Sequence, residues 1–61
     1  MTITISENSY GTLVLRSRNS GFINEFGGDL VIDKRGLFAA MWQISDYANN
    51  TLKEECIFDV E

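Results

Sequence analysis

Residues 30–60 read LVIDKRGLFAAMWQISDYANNTLKEECIFDV, the one part of the chain that spells a complete folding unit of strand, helix start, amphipathic helix and strand. Leu30, Val31 and Ile32 make an apolar centre between Asp29 and Asp33, which suits a central strand covered on both faces, or one covered by a helix and a partner. Asp33 stands where an N-cap side chain accepts a hydrogen bond from a first-turn N–H, so a helix is expected from about Lys34. At about 100° per residue, Leu37, Met41, Ile44, Ala48 and Leu52 fall in one stripe, the core face of that helix. The helix should reach at least Asn49, closing there with Asn49 or Asn50 in a left-handed conformation, or else run to Glu54. Cys56, Phe58 and Val60 alternate against Ile57 and Asp59, a closing strand paired beside one already in the sheet.

Upstream, Thr2–Ser6 alternates with Ile3 and Ile5 on one face and threonines on the other, the period of a half-buried strand. Turn formers collect from Glu7 to Gly11. Thr12–Arg18 then resumes as a strand, with Leu13 and Leu15 on one face and Val14, Arg16 and Arg18 on the other. The two runs suit an antiparallel hairpin. Asn19, Ser20 and Gly21 mark the next turn, and Phe22–Phe26 reads as a short strand with both phenylalanines on the same side. Gly27 and Gly28 supply the positive φ of a tight hairpin connection. The expected fold is a small α+β domain over residues 1–61, with three to four antiparallel strands packed by one amphipathic helix in the order β-β-(β)-β-α-β.

The chain has 61 residues, a net charge of -4, 44% apolar residues, one cysteine, no histidine and no proline. A domain this size buries only ~60% of the surface that its unfolded form exposes, so stability should be small, and a homodimer or a bound partner would relieve the deficit. The composition is too apolar for a disordered tail. No apolar run approaches the ~18 residues of a membrane span, and residues 1–6 lack the basic start and apolar core of a signal peptide, so no membrane association and a cytoplasmic location are expected. A lone Cys56 fits a reducing compartment and reads as a small buried hydrophobe. The start at Met1 without a tag reads as a complete small open reading frame.

Without histidine there is no imidazole general base and no Ser–His or Cys–His triad within the chain. The pairs Asp29/Asp33 and Asp59/Glu61 read as solvated strand ends, not as catalytic or metal-binding carboxylates, and nothing resembles a calcium loop. Gly27–Gly28 precedes a strand, whereas a phosphate-cradling loop follows one and opens a helix. No enzyme activity and no cofactor or metal is expected. The acidic balance disfavours nucleic acid, for which Arg16 and Arg18 are the alternative charged contacts; pairing across strands with Glu25 or another carboxylate is their commoner fate.

The helix carries more apolar surface than one core needs. Phe38 and Trp42 lie about 100° and 140° round from Leu37, and Ala40 and Tyr47 extend the arc on the other side, to ~220° in all against the ~100° that a surface helix buries. Trp42 neighbours Asp46, Asn49 and Lys53, a polar border around an aromatic anchor that matches an interaction hot spot in composition. Either the small domain wraps its sheet around this helix, or the flank is buried against a partner, in which case the expected partner-binding residues are Phe38, Trp42, Asp46, Tyr47 and Asn49. The expected role is that of a small acidic adaptor or inhibitor acting on another protein, of the kind encoded by phages and other mobile elements. A homo-oligomeric structural subunit and a weak nucleic-acid-binding accessory protein are the alternatives.

Overall fold

A computed structural model describes the whole chain, Met1–Glu61. The hairpin forms as its alternation predicts: β1 (Thr2–Glu7) pairs antiparallel with β2 (Leu13–Arg16), setting Ile5 opposite Leu15 and Thr4 opposite Arg16. Asn8 organises the turn. Its Oδ1 accepts from the N–H groups of Tyr10 and Thr12 at 2.9 and 3.1 Å, its Nδ2 donates to Thr12 Oγ1 at 2.6 Å, and Gly11 takes φ 81°. These are bonds that asparagine offers a turn and few other side chains can.

Phe22–Phe26 is helical, not extended. It belongs to α1 (Ser20–Phe26), opened by the Asn19 side chain, which accepts from the N–H groups of Gly21 and Phe22 at 2.9 and 3.2 Å. Gly27 closes it at φ 81°, donating its N–H to the Ile23 carbonyl at 2.9 Å. A four-residue spacing puts Phe22 and Phe26 on one face of either a strand or a helix. The caps at both ends settle it, because they satisfy the first N–H groups and the last carbonyls of a helix.

β3 (Leu30–Ile32) follows and pairs antiparallel with β2. It is a short edge strand with Val31 exposed, not the expected central one. The chain then enters a 3₁₀ turn (Lys34–Gly36), α2 (Leu37–Tyr47) and a wider π turn (Ala48–Leu52). Asp33 precedes this run but makes no capping bond through its side chain, which lies 3.7 Å from the Arg35 guanidinium. The helical run ends past Asn49 and Asn50, at Lys53 with φ 59°, where the N–H groups of Lys53 and Glu54 converge on the Ala48 carbonyl. Leu52 packs against α1: a Cβ on Gly21 would stand 2.6 Å from Leu52 Cδ2, so any larger residue there would have to displace the Leu52 side chain.

β4 (Ile57–Val60) pairs with β1, completing the order β3-β2-β1-β4. The fold is α+β, as expected, but its sheet is mixed because β4 runs parallel to β1, with Ile3 beside Phe58 and Ile5 beside Val60. β3 is already parallel to β1, and a helical crossover from one edge to the other delivers a further parallel strand. One face of the sheet carries Ile3, Ile5 and Leu15 against Phe22, Ala40 and Ile44, which together form the core. The other face carries no helix.

Candidate protein-interaction surface

The direction of α2 follows from its two ends. Lys34 Nζ meets Glu7 at 3.3 Å, at the far end of β1, while the Met1 amino group donates to the Glu55 carbonyl at 2.6 Å, at its start. Hence α2 runs antiparallel to β1 and to β4, and its first turns lie toward the Val60 end of β4.

The two flanks of α2 differ. Tyr47, about 60° round from Ile44, turns onto α1: its ring meets that of Phe26 edge-on at 5.6 Å and its hydroxyl donates to the Gly21 carbonyl at 3.3 Å. The opposite flank faces β4, since Ser45, on that side, is close enough to the Cys56 thiol, just before the strand, to lower its pKa. On the β4 side stand Phe38 and Trp42, 87% and 70% exposed. The structure thus keeps Phe38 and Trp42 together as an open aromatic pair and sets Tyr47 apart, inside the packing of the two helices. Asp46 and Asn49 are exposed on the same helical run, and Asp46 accepts a hydrogen bond from Asn50 Nδ2 at 2.7 Å.

Val60 extends the apolar surface in a way that the sequence concealed. It lies on the helix-facing side of β4, yet it is 75% exposed because β4 is the sheet edge and nothing packs beyond it. The alternation of Cys56, Phe58 and Val60 marks the face correctly; only the strand order reveals that the end of the strand is open.

On the other face, Thr2, Thr4, Ser6, Arg16 and Arg18 line a cleft of about 610 Å³. Arg16 is committed there to Asp29, directly across from it on the β3 side, with bonds of 2.9 and 2.7 Å. The hydrogen bond and charge of Asp29 raise the Arg16 pKa, and the Arg16 hydrogen bond in turn holds the Asp29 carboxyl below its ordinary range. The partner is Asp29, not Glu25, because the β2–β3 register places it opposite. Arg18 has no ion pair within 4 Å. Burial pushes the Cys56 thiol up, against the pull of Ser45, which leaves a weak nucleophile at neutral pH. No three His, Cys, Asp or Glu side chains converge as metal ligands would, and no helix is long and apolar enough to cross a membrane.

No family model, curated protein or solved structure matches the chain.

Proposed function

We propose that this chain is a small acidic, non-catalytic protein-interaction module, an adaptor or inhibitor that binds another protein through the Phe38–Trp42 flank of α2. The observation that carries this reading is the placement of two large aromatic side chains, one helical turn apart and mostly in water, on a helix whose other large apolar side chains pack toward the sheet and α1. Single exposed apolar residues are ordinary; an adjacent phenylalanine and tryptophan bordered by Asp46 and Asn49 have the make-up of a binding anchor, worth ~2 kcal/mol or more when buried centrally. The commitment of Arg16 to Asp29 supports a protein partner over a phosphate backbone, which needs several free cations.

The test is site-specific photo-crosslinking in the native host from a benzoylphenylalanine at position 42, with one at the exposed Glu25 position of α1 as control. A discrete adduct from position 42 and none from position 25 is the expected result. Equal labelling from both positions, or none from 42 above background, would sink the reading.

A further inference from the structure

The two edges of the sheet are not equally protected. β3 has three residues, and Asp29 at its entry is tied back to Arg16. β4 has four residues with no proline, no lysine and no covering segment, so its guard is the negative charge of Asp59 and the flanking carboxylates, which repels a like-charged strand and not a basic one. The N–H groups of Ile57 and Glu61 donate to the Met1 and Ile5 carbonyls on β1 at 2.8 and 2.9 Å. In a parallel ladder alternate residues turn to alternate sides, so Phe58 and Val60 present their N–H and C=O groups outward, unpaired. Beside them, on the helix side, lie the exposed Val60 side chain and the Phe38–Trp42 flank. On the opposite side of the same strand lie the carboxylates of Asp59 and Glu61, with Glu55 in register before the strand, and none of the three forms an ion pair.

We propose that the free edge of β4 takes up an extended segment of a partner protein whose residues alternate apolar and basic. The added strand would bond to the outward groups of Phe58 and Val60, lay its apolar side chains against Val60, Phe38 and Trp42, and set its lysines or arginines against Asp59 and Glu61. This rests on the protein-interaction reading and names the partner's chemistry and its mode of addition. A second copy of the chain fits the edge poorly. In an antiparallel two-fold pairing of β4 with itself, centring on Ile57 opposes Glu55 to Asp59, centring on Phe58 opposes Glu55 to Glu61, centring on Asp59 opposes that residue to itself, and centring on Val60 opposes Asp59 to Glu61. Every register centred within the strand therefore sets carboxylate against carboxylate, an arrangement that destabilises a strand pair.

The experiment uses the full chain and a fluorescein-labelled synthetic peptide of roughly six residues, an ordinary strand length, alternating valine and lysine. One control alternates valine and glutamate; the other sorts the valine–lysine composition into two blocks. Fluorescence anisotropy should show the alternating basic peptide binding about tenfold or more tighter than either control, the loss of one charge-assisted contact being enough for that factor. Amide hydrogen exchange at saturation should slow at Phe58 and Val60. Val60→Pro removes an outward donor and no rung to β1, and should weaken binding about tenfold. Asp59→Lys should weaken it by a similar factor and favour the glutamate peptide. Should Val60→Pro lose its native circular dichroism, Asp59→Lys and exchange on the unaltered chain decide the matter. Equal affinity for all three peptides, or unchanged exchange at Phe58 and Val60, overturns the proposal. So does protection of those two amides in the free protein, rising with its concentration as the mass doubles, which would put a second copy on the edge. A position-42 adduct in the host without peptide protection of β4 removes the edge proposal and leaves the aromatic-face reading standing. Peptide protection of β4 unaffected by Trp42→Ala supports the edge and removes the aromatic flank from it.

Discussion

Phe22 and Trp42 are both aromatic residues on helices, yet they should respond oppositely to truncation. Phe22 is fully buried, so Phe22→Ala leaves a cavity and should cost ~3–5 kcal/mol, a large part of the total stability of a domain this size. Trp42 is mostly in water, so Trp42→Ala should change stability by no more than ~0.5 kcal/mol. Urea melts of the two variants check this; a Trp42→Ala variant as unstable as Phe22→Ala would return Trp42 to the core. The Arg16–Asp29 pair makes a pH-dependent prediction. Because the folded Asp29 carboxyl ionises more readily than an unfolded one, the pair's stabilisation is present above the ordinary aspartate range and is lost as pH falls through the lowered folded value. The gap between the urea midpoints of wild type and Asp29→Asn should therefore be widest near neutrality and close on acidification below about pH 4. A gap that does not vary with pH would mean that the pair contributes no such linkage.

At the scale of elements, α1 is seven residues long and has no acidic residue in its first turn or basic residue in its last, so its ends rest on Asn19 and Gly27. Asn19→Ala removes an acceptor that serves two backbone N–H groups and should cost ~1 kcal/mol, whereas Asn19→Asp, which keeps the acceptor, should cost little. Equal losses for both would show that the cap bond is not what holds the helix start. The consequence extends beyond α1, because Phe22 and the Gly21 contact with Leu52 hang from it, and Tyr47 is turned inward by Phe26 and the Gly21 carbonyl. α1 thereby determines which flank of α2 is left open.

For the whole molecule, seven of sixty-one residues are buried, so the core is small and the reserve of stability with it. Self-association would be one remedy, but the carboxylates along β4 oppose the most available mode of pairing. The thermal midpoint should accordingly be unchanged between protein concentrations about a hundredfold apart, since only an associating native state gains stability with concentration. A midpoint that climbs with concentration, with a dimeric mass by light scattering, would contradict this.

The sequence by itself determined what depends on neighbours along the chain. The β1–β2 hairpin follows from strict alternation around Asn8 and Gly11, the inward face of α2 from the stripe centred on Ile44, and the helix-facing side of the last strand from the alternation of Cys56, Phe58 and Val60. It also placed Phe38 and Trp42 outside that stripe. The tertiary structure alone decided the rest. Phe22 and Phe26 share a face under either periodicity, so the segment's identity as a helix rested on its caps and on packing against Leu52 and Tyr47. Tyr47 and Trp42 both flank the core stripe, and it took the position of α1 to cover one in part and leave the other in water. A run such as Leu30–Ile32 reads alike at the centre or the edge of a sheet, and a closing strand reads alike whether it pairs parallel or antiparallel. Periodicity reports which side of an element is apolar, whereas strand order and the choice of covered flank arise from contacts between residues far apart in the chain.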